Sequence, residues 1–112
     1  MSRYKTGDVV WADYAFFDVV KGYIDFKPRP FIVIDIEYDT DNLVVICSTK
    51  THQSLKYKGI VVLEKSVEGQ QMGIVEDTFI YLDRTLILTN KEIRRKIGTC
   101  PLIDEIIEKL KS

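Results

Sequence analysis

The sequence is poor in the features that would tie it to several large classes of protein. It has two cysteines, Cys47 and Cys100, and one histidine, His52. Two cysteines outside a CxxC motif provide neither a disulfide framework nor a zinc site of the usual spacing, which favours the reducing cytoplasm. Residues 43–47, among the longest apolar stretches, are too short to cross a bilayer, and residues 1–18 lack the pattern of a secretion signal. We expect neither a membrane protein nor an exported one.

An excess of charge of one sign is also lacking. Sixteen Lys and Arg residues stand against seventeen Asp and Glu residues, for a formal net charge of −1. No global field would attract nucleic acid, so any such site must be a local cleft. The sequence contains no GxGxxG, P-loop, HExxH or GxSxG motif, which argues against the common cofactor and metal enzymes. We expect no cofactor and no metal site.

The composition is that of a globular protein. Of the 112 residues, 46% are hydrophobic and 29% are charged, which argues against disorder, a collagen-like repeat or a coiled coil. A chain of this length buries roughly two thirds of the surface that it exposes when unfolded. We therefore expect a single domain spanning residues 1–112.

Short apolar runs separated by polar turn residues predict a mainly β fold. The runs are rich in β-branched and aromatic residues, and they cover residues 9–14, 31–36, 43–48, 59–63, 78–82 and 85–88. Residues 15–27 mix aromatic and charged residues around Gly22 and are interpreted as a loop that is partly strand, with a long hairpin tip as the alternative. Residues 67–73 are also interpreted as a loop. Strands this closely spaced indicate a small antiparallel barrel.

The pattern changes in the last quarter of the chain. Thr89 followed by Glu92 has the spacing of a capping box and predicts a short helix over residues 90–97, which Gly98 ends. A second helix is predicted at about residues 100–111, where apolar residues form one continuous face. This helix is expected to pack on the barrel.

Arg29 lies between Pro28 and Pro30, just ahead of the apolar residues 31–36. The two prolines forbid a helix and restrain the backbone around the guanidinium, which can bind a phosphate through two hydrogen bonds. The alternative is a proline pair at the start of a strand with a solvated arginine between them.

Other side chains allow a functional and a structural interpretation. His52 is interpreted as a solvated loop residue, with a general acid as the alternative. Trp11 is interpreted either as a base-stacking residue or as part of the core or a dimer interface. Arg94, Arg95 and Lys96 are interpreted as charges at the end of the first helix.

Several motifs follow one another in an order that resembles the MazF/PemK family of toxins from toxin-antitoxin systems. Residues 7–13 (GDVVWAD) resemble the family's opening strand, and residues 29–34 (RPFIVI) resemble its strand that begins with Arg-Pro. Residues 44–48 (VVICS) occupy the place of its third strand, and residues 77–83 (DTFIYLD) are similar to a later one. The run Lys96-Ile-Gly-Thr resembles the segment before the family's last helix. The likeness covers nearly the whole chain.

The resemblance implies a mainly β fold with C-terminal helices, a small antiparallel SH3-like barrel of the CcdB/MazF toxin type. It implies a cytoplasmic, homodimeric, metal-independent endoribonuclease that cleaves single-stranded mRNA and is inhibited by an antitoxin protein. The family's catalytic arginine and hydroxyl correspond to Arg29 and Ser48. Thr49 is an alternative hydroxyl, because a slip of one residue in the register would exchange the two.

Four further residues are expected to contact RNA: Lys27, Lys50, His52 and Arg84. The stretch around Lys50 is locally basic and suits backbone phosphates. Arg84 departs from the family pattern, because it stands where the family has glutamine, and Leu86 stands where the family often has arginine.

Two other functions remain open at this stage. One is a non-catalytic module of the same barrel fold that binds a protein or a nucleic acid without cleaving it. The other is a DNA-binding accessory protein, which is disfavoured because the sequence has neither a recognition-helix pattern nor a basic face.

Overall fold

A computed structural model describes residues 3–50, 58–82 and 85–111. Of residues 14–18, 26, 27, 47, 49 and 50 it describes the backbone only. Seven strands and two α-helices occupy these residues. In chain order they are β1 (Asp8–Asp18), β2 (Tyr23–Ile36), β3 (Leu43–Lys50), β4 (Gly59–Val62), α1 (Val67–Met72), β5 (Thr78–Tyr81), β6 (Leu86–Leu88), β7 (Ile93–Thr99) and α2 (Ile103–Lys111).

The strands β1 and β2 form a long antiparallel hairpin. Ten residue pairs join them, the last of which places Asp18 opposite Tyr23. The turn ends at Gly22, whose φ of +77° lies in the region that favours glycine. Residues 15–27 are therefore mostly strand, and the hairpin interpretation is the correct one. Tyr23 and Ile24 are exposed, so the segment lacks the alternation of buried and exposed residues from which a strand is recognised.

The strand β3 changes partners along its length. Its first part, from Leu43 to Cys47, pairs with β2, whereas Ser48 to Lys50 pair with β5. The hydrogen-bonded order is β4-β5-β3-β2-β1-β7, with β6 added to β3, and every pairing is antiparallel. The predicted mainly β antiparallel fold with a helix at its C-terminal end is confirmed.

The core consists of two clusters on opposite faces of β1, β2 and β3. Neighbouring residues of β1 divide between them, with Val9 in one cluster and Val10 in the other. The buried residues of the first cluster are Val9, Ile32, Ile46, Val62, Met72, Ile74, Ile80, Leu82, Cys100 and Ile106. Those of the second cluster are Val10, Ala12, Phe31, Val33, Leu43, Val45, Leu88 and Ile93. Because both faces are covered, these strands appear in the sequence as continuous apolar runs rather than alternating ones.

The helix α1 was missed in the sequence and packs directly on β7. The Ser66 side chain caps it by accepting a hydrogen bond of 3.0 Å from the Gly69 N–H. It ends at Gly73, where φ is +74° and a Cβ would overlap the carbonyl of Ile97. The sequence favoured a loop because two glycines and two glutamines lie within seven residues.

The helix predicted over residues 90–97 is wrong. The capping box does form, since the Glu92 carboxylate accepts hydrogen bonds from the Thr89 backbone and hydroxyl. It starts only a single 3-10 turn, Asn90–Glu92, after which the chain enters β7 and pairs with β1. Tertiary pairing overrides the local helical signal in so short a segment.

The last helix, α2, was predicted at about residues 100–111 and begins at Ile103. Its Ile106 is fully buried in the first core cluster. Among the residues that the structure describes, no helix is long and apolar enough to cross a membrane.

Candidate active site

Arg29 lies in the middle of β2 rather than at the start of a strand. It is opposite Ala12, while Pro28 and Pro30 are opposite Asp13 and Trp11. The strand thus continues through both prolines, and the prediction of a strand that begins after them is corrected. Arg29 is half-buried, and its Nε atom is fully buried.

The prolines are tolerated because their missing N–H groups face away from β1. The carbonyl of Pro30 accepts a hydrogen bond of 2.7 Å from the Ser48 hydroxyl, so this edge of Pro30 faces β3. The N–H and C=O groups of one strand residue point to the same side. β3 pairs with β2 only as far as Cys47, so a proline at this point removes no ladder hydrogen bond.

Ser48 lies at the junction of the two parts of the sheet. It is 1% exposed, and it is opposite Ile80 of β5. Its hydroxyl satisfies the Pro30 carbonyl at the point where β3 leaves β2. The structure therefore places the predicted hydroxyl next to the residue that follows Arg29.

The alternation of strand residues separates Arg29 from Ser48. Phe31 belongs to the second core cluster, so Arg29 lies on that face. Ile46 belongs to the first cluster, so Ser48 lies on the opposite face. The side chain of Thr49 is outside the described part of the structure. Both hydroxyls therefore remain candidates.

The structure describes only part of the four residues that are predicted to contact RNA. Lys27 is opposite Tyr14 in the hairpin, and Lys50 is opposite Thr78 at the end of β3. Only the backbone of these two lysines is described. His52 and Arg84 lie outside the described residues, so their roles stay predictions.

Sequence reasoning misplaced the basic run of Arg94, Arg95 and Lys96. These residues belong to the exposed part of β7, not to the end of a helix. Arg94 Nη2 lies 2.9 Å from Asp13 Oδ1. Ile93 and Ile97, which flank the run, pack on different sides of the sheet, Ile93 in the second core cluster and Ile97 against the first.

Lys96 serves a structural purpose within this run. Its Nζ lies 3.1 Å from Oδ1 of Asp8, a carboxylate that is only 2% exposed. The other oxygen, Oδ2, accepts a hydrogen bond from the Lys5 backbone. The Lys96 contact is an ion pair that compensates a buried charge at the start of β1.

Cys100 takes no part in the site. It is buried in the first core cluster, and its burial raises the pKa of the thiol, against a smaller opposing effect of a backbone hydrogen bond with Leu102. A buried neutral thiol is a packing residue. Within residues 3–50, 58–82 and 85–111, no group of three or more His, Cys, Asp or Glu side chains is placed to hold a metal ion.

The fold and the arginine held between two strand prolines define a class of small antiparallel β proteins with a C-terminal helix. The family model for the PemK-like, MazF-like toxin of type II toxin-antitoxin systems matches residues 5–112. The chain belongs to this family. No curated protein sequence matches it.

Proposed function

We propose that this toxin of a type II toxin-antitoxin system is a metal-independent endoribonuclease for single-stranded RNA. It would act on mRNA in the cytoplasm as a homodimer and be inhibited by its antitoxin protein. Family membership supports the toxin and the antitoxin partner. The observation that carries the catalytic proposal is the position of Arg29 one residue from the Pro30 carbonyl to which the Ser48 hydroxyl is bound.

The chemistry follows from what these groups can do. The ribose 2′-hydroxyl gives up its proton as its oxygen attacks the adjacent phosphorus. The P–O bond to the 5′-oxygen of the next nucleotide breaks, that oxygen takes up a proton, and a 2′,3′-cyclic phosphate and a 5′-hydroxyl remain. Negative charge develops on the phosphoryl oxygens in the transition state. A guanidinium that is already held in place stabilises that charge without having to reorganise. Arg29 is the only group to which this role is assigned.

The hydroxyl would assist by binding a phosphoryl oxygen or by relaying a proton. Ser48 is already positioned by its bond to Pro30, and Thr49 is the next residue of β3. Loss of the reactive hydroxyl lowers the rate of the chemical step. Loss of the other hydroxyl leaves that rate close to that of the wild type once the protein is folded. Comparison of Ser48→Ala with Thr49→Ala under single-turnover conditions therefore assigns the role.

RNA outside the scissile phosphate would be bound by Lys27, Lys50, His52 and Arg84. Lys27 belongs to the same strand as Arg29, and Lys50 belongs to the same strand as Ser48. Their strands place both lysines within a few residues of the proposed catalytic pair. This nearness supports a continuous path for the RNA backbone.

The test is the incubation of the purified protein with a long single-stranded RNA of mixed sequence in excess EDTA, with the fragment ends mapped. Discrete cuts that end in cyclic phosphate are expected. The matched control is the same RNA with methylated 2′-oxygens, which lacks the nucleophile and should stay intact. Intact RNA from a folded protein would contradict the proposal and would favour a non-catalytic barrel that acts by binding alone.

A further inference from the structure

We propose that Arg95 and Trp11 form a binding site for an unpaired nucleotide of the RNA, on the face of the sheet opposite to Arg29. The inference rests on the proposed function and extends it to β7, a strand to which the sequence assigned no role in binding. Arg95 is opposite Trp11, and Trp11 is opposite Pro30. The three residues therefore form one row across β7, β1 and β2, which leads to the Pro30–Ser48 contact.

The members of this row share one face of the sheet. Residues opposite each other in antiparallel strands point to the same side. Val9, two residues before Trp11, belongs to the first core cluster, so Trp11 lies on the same face, beyond the last core residue of β1 on that face. With strands about 4.8 Å apart, the Cα atoms of Arg95 and Pro30 are about 10 Å from each other.

Arg95 differs from its two neighbours in its electrostatic environment. Arg94 is bound to Asp13, and Lys96 is bound to Asp8. Arg95 is exposed and makes no ion pair with any residue that the structure describes. The two bulges in the β1–β7 pairing allow Arg94 and Lys96 to reach different partners. One full positive charge thus remains available for an anion beside the row.

Trp11 supplies the second half of the site. It is half-buried, and its neighbours in β1, Val10 and Ala12, are fully buried. A base that stacks on a fixed aromatic ring, with its phosphate bound by an adjacent cation, is the usual arrangement in proteins that bind single-stranded nucleic acids. An unpaired nucleotide of the RNA substrate satisfies both features.

The chain offers a direct probe, because Trp11 is its only tryptophan. We would titrate the wild-type protein with a short single-stranded RNA pool carrying methylated 2′-oxygens, and follow both tryptophan emission and RNA anisotropy. Stacking predicts that the emission is quenched with the same midpoint as the anisotropy change. An oligoglutamate at equal ionic strength should leave the emission unchanged, and equal quenching by that peptide would overturn the assignment to a base.

Arg95→Gln should weaken binding of this RNA about fivefold near 0.1 M salt and lower the slope of log K against log salt by about 0.7, as expected for one lost phosphate contact. The control is Lys65→Gln, which removes one exposed charge from the turn before α1 and should change neither quantity. Trp11→Phe should retain most of the affinity, and Trp11→Ala should lose about tenfold or more.

The outcomes separate this inference from the proposed function. Cleavage of RNA by the wild type, together with unchanged emission on binding and an unaffected Arg95→Gln variant, would overturn the nucleotide site and leave the endoribonuclease proposal standing. Absence of both cleavage and binding would overturn both.

Discussion

The two halves of β2 contrast within a single strand. From Phe31 to Ile36 the strand pairs with β3, and at Phe31 and Ile32 it also pairs with β1. From Tyr23 to Pro30 its only strand partner among the residues that the structure describes is β1. The inner half includes Phe31, Ile32 and Val33, all 0% exposed, whereas Tyr23 and Ile24 in the outer half are 54% and 61% exposed.

The difference shows where this fold can accommodate chemistry. Phe31 and Ile32 have a strand on each side, and the core covers both faces of β2 at these residues. At the boundary, β3 leaves β2 and pairs with β5. Beyond this point the edge of β2 that faced β3 is no longer paired with it. Prolines are tolerated at such an edge, and a polar side chain such as Arg29 can be held by the backbone without being enclosed by the core. The proposed site lies at this boundary.

The largest effect that separates the two halves is expected from truncation of Phe31. Phe31→Ala removes a fully buried ring from the second core cluster and should lower the free energy of unfolding by about 3–5 kcal/mol. Urea denaturation followed by circular dichroism measures it. Tyr23→Ala in the outer half serves as the control and should cost below about 1 kcal/mol. Equal losses in the two variants would contradict the contrast.

A smaller effect is expected at the boundary itself. Ser48→Ala leaves the Pro30 carbonyl without its donor in a site that is 1% exposed, which should cost about 1–3 kcal/mol of stability. Thr85→Ala, which removes an exposed hydroxyl, should be nearly neutral in the same urea titration. A neutral Ser48→Ala variant would show that the hydrogen bond does not support the junction.

Substitution of Gly22 in the hairpin turn should change stability through backbone conformation alone. Gly22 has a φ of +77°, and a Cβ at this position would meet no atom within 4 Å. Gly22→Ala should therefore cost about 1 kcal/mol through strain only, and Gly22→Asn should cost less, because asparagine tolerates this region. Thermal unfolding of the two variants measures the difference, and an alanine variant as stable as the wild type would disagree with the turn geometry.

The smallest effect is expected from the ion pair beside the outer half. The side chains of Arg94 and Asp13 are 56% and 36% exposed, so Arg94→Gln should change stability by at most about 0.5 kcal/mol. The change should disappear at high salt. Stability measured in low and in high salt tests it, and a loss above about 1 kcal/mol that persists in high salt would count against a solvent-screened pair.

The same contrast explains what could be predicted from the sequence. The buried strands were recognised because covering both faces of a strand produces a continuous apolar run, as in residues 31–36 and 43–47. The outer half of the hairpin and the strand β7 were misassigned because backbone pairing holds them without a matching burial pattern. Ile93 and Ile97 are spaced for a helix, yet they belong to a strand with two bulges and pack against different core clusters. No feature of the local sequence distinguishes these two segments from a loop or a helix.

For the candidate site, the sequence identified Arg29, Ser48 and Thr49 through the prolines and the family likeness. The structure adds the bond between Ser48 and Pro30, which joins residues 18 positions apart. It also adds the row that contains Trp11 and Arg95. Both depend on the register between strands distant in the chain, which residue patterns do not contain.

The central claim is that Arg29 carries out the chemistry while the surrounding strands carry the fold. The most direct measurement is the single-turnover rate of RNA cleavage by Arg29→Ala beside the wild type, with the urea transition of each protein. The account predicts a rate lower by about 10²–10³-fold in a variant that still unfolds cooperatively. Cleavage by this variant at the wild-type rate would contradict it.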